Sequence, residues 1–274
     1  MHPILFNIGG FPVYTYGLLL AAAYLLGLQF AIVRARKRGL DQSKVMDLGI
    51  WIIVSALVGA KGMLIIVERD RFGWSFADLM NLFRSAGVFY GGLIAAVVVA
   101  LVYLWRHRMP VWTVTDVFAP AIALGHVIGR LGCLLAGCCF GAATNVPWAI
   151  TFHNEFAHQN VGTPLGIPLH PTQLYEAGAE LLILGLLLGT ERRGRPFPGR
   201  TFWSYMLLYA ISRFIIEMYR GDSRGIINFI GNPLSTSQFV SVLLVPLSLV
   251  MLIYLGRSSG PKPADTATRR ARAA

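Results

Sequence analysis

Apolar and polar residues do not alternate along this chain. Apolar residues come in long runs, separated by short stretches rich in Arg, Lys, Gly and Pro. A helix needs roughly 20 mostly apolar residues to cross the hydrocarbon core of a bilayer. Seven runs approach that length, at about 13–33, 47–67, 88–105, 113–133, 174–190, 201–220 and 237–256. The fifth is short and opens with Glu176 and Glu180. No internal repeat is evident. The pattern predicts an all-α integral membrane protein of about seven transmembrane helices, with residues 1–256 as a single membrane-embedded domain. Residues 68–87, ERDRFGWSFADLMNLFRSAG, mix aromatics with both charges and read as an arm on the outer surface. Residues 134–173, with Gly, Pro and Asn, read as a small external head, and residues 257–274 as a disordered basic tail. The opening MHPILFNIGGFPVYTYG lacks a basic leader and a small-residue cleavage site, so it reads as the start of a retained first span.

Composition supports the bilayer as solvent. The chain is 55% hydrophobic and 14% charged, against about 25% charged for a soluble domain. Its net charge of +11 would suit a nucleic-acid binder. No nucleic-acid motif occurs, however, and the placement of the charge explains it. Arg34, Arg36, Lys37, Arg38 and Lys44 follow the first run, and Arg106 and Arg108 the third. Arg192, Arg193, Arg195 and Arg200 follow the fifth, and Arg257, Lys262, Arg269, Arg270 and Arg272 the seventh. All fall on one side, which the positive-inside rule makes the cytoplasm. The N-terminus is then outside and the C-terminus inside, and nucleic acid is not an expected partner.

The second, fourth and sixth runs lead outward, and each contains one deep cation: Lys61, Arg130 and Arg213. Lys61 lies 14 residues after Asp47, Arg130 14 after Asp116, and Arg213 13 after Arg200. At about 1.5 Å per residue, each is about 20 Å into a roughly 30 Å core. A cation within a span costs about 2.5–3.5 kcal/mol on insertion scales. Matched depth predicts an anion site facing the interior, suited to the phosphate of an outer-leaflet phospholipid. Arginine suits such a ligand, because its planar fork binds two oxygens. The plainer reading is snorkelling, or pairing with acids such as Glu217, four residues from Arg213. Tyr16, Tyr90, Glu176, Glu180 and Tyr209 fall at the same level, although a tyrosine there is also a common interfacial anchor.

Two motifs add chemistry. HPTQLYE, residues 170–176, sets five polar groups at the entrance to the fifth run, and His170 is of a type that titrates near neutrality. HVIGRLGCLLAGCCFG, residues 126–141, holds all three cysteines of the chain. Their C-x4-C-C spacing matches no standard zinc pattern, so no metal site is expected. Packing as small apolar side chains is the simple account of them; a disulfide from Cys133 to Cys138 or Cys139 is the first alternative, and a catalytic or metal role the second. His126, one turn before Arg130, reads as a bundle-interior residue. His153 and His158 flank Glu155 without the metalloprotease order and read as loop histidines.

Together, TYGLLL (15–20), GVFYGGLIA (87–95), GRLGCLLAGCCFG (129–141), HPTQLYE and LYAISRFIIEMYRGD (208–222) resemble the bacterial prolipoprotein diacylglyceryl transferase family, from about Tyr16 to Gln238. The resemblance implies a seven-span enzyme of the bacterial inner membrane. Such an enzyme moves the diacylglyceryl group of phosphatidylglycerol onto the lipobox cysteine thiol in a prolipoprotein signal peptide. A thioether forms and glycerol phosphate leaves. With the depth pattern, the resemblance nominates Tyr90, His170, Arg213, Tyr209 and Glu176 as catalytic. It nominates Arg130, Tyr16, Gly132, Gly141, Gln173 and Lys61 as substrate-binding. No cofactor is implied; the expected partners are phosphatidylglycerol, prolipoprotein and membrane lipid, and the expected state is a monomer.

The chain also departs from the family pattern. Many members have His where Tyr90 stands, and Asn and Glu where Cys133 and Cys138 stand, so this chain looks like a cysteine-rich variant. A phenol ionises near pH 10 and is a poor base. The expectation is that Tyr90 orients substrate while His170, or alternatively Glu176, helps remove the proton. Two other function classes compete: a membrane thiol oxidoreductase and an anionic-lipid transporter. On this reading, removing all three cysteines spares a transferase and abolishes an oxidoreductase.

Overall fold

A computed structural model of the chain describes residues 2–69, 75, 87–192, 197–222, 225–229 and 232–259. Helices form in all seven apolar runs: α1 (Thr15–Lys37), α2 (Gln42–Val67), α3 (Phe89–Arg106), α4 (Val111–Ala136), then, after the short α5 (Glu155–Val161), α6 (Thr172–Arg192), α7 (Arg200–Glu217) and α8 (Thr236–Ser258). Five of them, α1, α2, α3, α4 and α8, are long and apolar enough to cross a membrane. The other two, α6 and α7, have 21 and 18 residues but bury Glu176, Glu180, Arg213 and Glu217. Those charges lower their mean hydropathy. Most of the expected arm at 68–87 lies outside the described residues, as do residues 260–274 of the expected tail. Residues 257 and 258 of that tail instead complete α8.

Exposure is reversed relative to a water-soluble protein. Trp105 and Phe89 are 79% and 72% exposed, whereas Asp116 and Gln173 are fully buried and Glu180 nearly so. An apolar exterior over a polar interior is what lipid selects, because a polar group facing hydrocarbon finds no water to bond. The protein is an all-α membrane protein.

The chain divides into two compact units, Leu28–Val117 and the combination of Met1–Gly27 with Phe118–Ala274. In the first, α2 and α3 meet backbone to backbone. A Cβ on Gly91 would stand 2.5 Å from the Gly59 carbonyl oxygen, and one on Gly59 would stand 2.6 Å from that of Gly91. Without side chains there, the helices pack closely, as small residues allow in membranes. The glycines after Tyr90 therefore serve packing. Arg34 near the end of α1 is buried, and donates to the carbonyl oxygens of Asp116 and Val117 at 3.1 and 3.2 Å.

The second unit holds the start of α1, most of α4, α5 to α8, and three antiparallel strand pairs: β1 (Ile4–Ile8) with β2 (Phe11–Tyr14), β3 (Ile150–Thr151) with β4 (Pro168–Leu169), and β5 (Ile226–Phe229) with β6 (Asn232–Ser235). The first pair corrects the reading of the N-terminus as the start of a span. Gly9 and Gly10 both have positive φ, 54° and 87°, and turn the chain into a hairpin. The head is also more ordered than a loop. Asn154 caps α5 by accepting from the Ala157 N–H at 3.1 Å, and Phe140, Phe152 and Leu169 form a small core beneath it.

Candidate functional site

The motifs are joined first through the backbone. The Gly141 N–H donates to the His170 carbonyl at 3.0 Å, and the His170 N–H returns a bond to Ala142 at 3.0 Å. On the other side, Ala142 N–H donates to Tyr219 at 2.8 Å, and Gly221 N–H to Phe140 at 3.2 Å. Segment 140–142 thus threads between the start of α6 and the chain leaving α7. A Cβ on Gly141 would lie 2.4 Å from the His170 oxygen and 2.7 Å from the Tyr219 oxygen, so only glycine fits. Side chains strengthen the seam: Thr172 Oγ1 donates to the Cys139 carbonyl and Gln173 Nε2 to that of Cys138, each at 2.8 Å.

Beside the seam lies a buried ionic network centred on Glu176. Its Oε1 accepts from Arg213 Nη1 and Arg220 Nη1, both at 2.8 Å, and its Oε2 pairs with Arg130 Nη2. Arg213 also pairs with Glu217 at 2.5 Å and donates to Ser237 at 3.0 Å. Arg220 grips Asp222 with two bonds of 2.8 Å. Burial works against the Arg220 charge, but its bonds to Asp222 hold its pKa above the ordinary value. Arg130 Nε donates to His126 Nε2 at 3.2 Å, and His126 Nδ1 lies 2.7 Å from Glu180. With Nε2 accepting from Arg130, a ring proton on Nδ1 is aimed at Glu180. Three arginines face the three carboxylates Glu176, Glu217 and Asp222, with Glu180 held by His126. A buried charge needs such compensation. The guanidiniums are thereby fixed in place before any anion arrives.

The structure brings most of the nominated residues together. Arg130, Arg213 and Glu176 form the network, and Tyr209 lies against it, its ring 5.7 Å from that of His126. Gly141, His170 and Gln173 form the seam. A Cβ on Gly132 would lie 3.3 Å from the Tyr16 ring, so Gly132 admits Tyr16 against α4. The pairing of Arg213 with Glu217 occurs, but alongside Glu176 rather than instead of an interior site. Lys61 and Tyr90 belong to the other unit, on α2 and α3. His170 Nδ1 lies 3.1 Å from the Tyr175 hydroxyl, which accepts from Trp148 at 2.7 Å. His158 Nδ1 bonds the Thr163 carbonyl at 2.8 Å, in keeping with a structural loop histidine.

Sequence reasoning passed over Arg220 and Asp222, although both stand in YRGD, which straddles the end of the sixth apolar run. It noted Glu180 without pairing it to His126. An available signal was the Glu176–Glu180 repeat of one helical turn, which sets both acids on one face of α6.

The three cysteines are free thiols. Cys133 is buried in the last turn of α4, the chain reverses at Gly137, and the Cys138 N–H donates to the Cys133 carbonyl at 3.2 Å. Cys139 has φ of 62°, a conformation uncommon outside glycine. Bonds from the other two thiols, and then the charges of Arg130 and Arg220, push the Cys139 thiol below its ordinary pKa. Bonds to its two neighbours, and burial, push Cys138 up.

Comparison with known proteins places this geometry. The profile of the prolipoprotein diacylglyceryl transferase family matches residues 3–254. A phosphatidylglycerol–prolipoprotein diacylglyceryl transferase of Finegoldia magna is 32% identical, over 92% of this chain and 95% of its own length. Proteins of the same name from Clostridium tetani and Synechocystis are 32% and 31% identical, over 91% and 92% of this chain and 96% and 89% of their own lengths.

Proposed function

Since the chain belongs to the prolipoprotein diacylglyceryl transferase family, we propose that it transfers the diacylglyceryl group of phosphatidylglycerol to the lipobox cysteine thiol of a prolipoprotein, forming a thioether and releasing glycerol phosphate. The observation that carries this reading is the convergence of Arg130, Arg213 and Arg220 on Glu176 inside a membrane protein. The donor is a phosphodiester with one negative charge. As its glycerol C–O bond breaks, charge builds on the departing phosphate. Guanidiniums already fixed by Glu176, Glu217 and Asp222 need no reorganisation to meet that charge, so they stabilise the transition state more than the ground state. Tyr209 and Gln173 orient the donor at this wall, Tyr16, Gly132 and Gly141 shape the space beside it, and His170 receives the thiol proton. Tyr90 and Lys61 enter from the sequence alone, as an orienting hydrogen-bond donor and an additional cation.

The protein acts as a monomer in the bacterial inner membrane, with the N-terminus outside and the C-terminus inside, and its peptide partner is the signal segment bearing the lipobox. The test is incubation of the purified protein with phosphatidylglycerol and a synthetic lipobox peptide. A mass gain of one diacylglyceryl group on the peptide cysteine is expected. An unmodified peptide, with protein that remains folded, would sink the reading.

A further inference from the structure

We infer that Cys133, Cys138 and Cys139 form a three-thiolate site for a soft divalent cation such as zinc, whose open fourth position binds and ionises the acceptor thiol. This rests on the transfer reaction proposed above. The C-x4-C-C spacing does not suggest a metal, but the fold closes it. The reversal at Gly137 and the left-handed Cys139 fold the chain back over the end of α4. All three sulfurs lie within 4.8 Å of one another. Three sulfurs each about 2.3 Å from one zinc would stand about 3.8–4.0 Å apart, so contraction by less than about 1 Å completes the site.

The surroundings suit a cation held by thiolates. The site is at the C-terminus of α4, where the helix dipole favours positive charge. Thr172 and Gln173 fix the carbonyls of Cys139 and Cys138, which is the outer support that metal sites require. Gln173 Oε1 is buried with no hydrogen-bond partner among the described residues, which leaves an acceptor beside Cys138. Three thiolates and one divalent ion carry a single net negative charge. The Arg220 side chain, which bonds Cys139, and Arg130 offset it. Cys138 and Cys139 are only partly buried, so a thiol can reach the ion.

The reaction explains why such an ion belongs here. A free thiol ionises near pH 8.5, and apolar surroundings push that upward. A coordinated thiol is deprotonated outright. Catalytic zinc has three protein ligands and one open position, and three cysteines supply that number. In the step, the acceptor S–H gives its proton to His170 as sulfur binds the metal. The sulfur lone pair then attacks the glycerol carbon. The C–S bond forms, the C–O bond breaks, and the electron pair goes to the phosphate oxygen, which takes the proton from His170. The neutral thioether is a weak ligand and departs; nothing is oxidised or reduced. This reverses the sequence-based expectation that the cysteines are dispensable for transfer.

The test uses purified full-length protein, reduced and stripped with chelator, then titrated with cobalt(II). One equivalent should bind with a thiolate-to-metal charge-transfer band, and zinc should displace it. Cys133→Ser should lose the band. Thr172→Ala, which retains all three ligands, should weaken binding roughly 10- to 100-fold. Stripped protein should transfer diacylglyceryl about 100-fold more slowly, with recovery on adding zinc. No band from the reduced protein, or a disulfide among the three cysteines as isolated, overturns the site. Full transfer by stripped protein overturns the thiol-activating role. A zinc-loaded protein that binds stoichiometrically yet transfers nothing puts the failure in the transfer reading; the activating step falls with it and the metal site stands.

Discussion

Glu176 serves three guanidiniums with two oxygens, from a helix that its charge makes less apolar. Removing that charge leaves Arg130 without its carboxylate and Arg213 and Arg220 with one fewer. Breaking a buried ion pair from one side costs about 3–5 kcal/mol. Glu176→Gln should therefore lower the thermal midpoint in detergent markedly as well as transfer, and an unchanged midpoint would remove it from the centre of the network. Arg130 bonds His126 through Nε and Glu176 through Nη2. Lysine retains the charge but has no second nitrogen to span both. Arg130→Lys should reduce transfer by about 100-fold or more, and full activity in Arg130→Ala would place the donor elsewhere. For the proton, Tyr90→Phe should retain partial transfer and His170→Ala much less. A dead Tyr90→Phe beside a nearly normal His170→Ala would make the phenol the base.

At the scale of elements, glycines decide which segments touch. Gly141 and Gly221 cross so closely that a Cβ on Gly221 would stand 2.5 Å from the Gly141 oxygen. Neither neighbour is a flexible side chain, so the backbone itself must move. Gly141→Ala should cost about 1–3 kcal/mol in stability and should impair transfer more than its size suggests, since the shift carries His170 and Arg220 with it. Measuring the unfolding midpoint together with transfer checks this; an undisturbed protein would mean the seam is looser than described. Helices were legible because a membrane leaves a run of apolar residues one main way to satisfy its backbone. Hairpins were not, because β1 and β2 are short and apolar, and their turn rests on two glycines that an apolar count passes over.

Among the described residues, large apolar side chains are exposed and most of the deep charges are buried. The charge pattern predicts residues 134–173 outside and 257–274 inside. Asn160→Cys should react with a membrane-impermeant thiol reagent applied to intact cells stripped of any outer membrane, above the background of the native cysteines. Ser258→Cys should react only after the membrane is opened. The reverse pattern would invert the topology.

The sequence by itself determined that this chain lives in lipid, where its helices run, and which family its motifs resemble. Those properties depend on runs and local motifs, and both survive in one dimension. It also showed Arg130 and Arg213 as deep cations, since a charge in an apolar run is conspicuous. It did not determine that they share one carboxylate with Arg220, or that His126 holds Glu180. Arg220 closes its apolar run, at the boundary where an arginine is unremarkable, and a pairing between helices depends on rotation and register. The cysteines show the same limit. Their spacing matches no metal motif, and only the reversal at the end of α4 gathers their sulfurs, because sulfur–sulfur distance is set by the backbone turn and not by the count of residues between them.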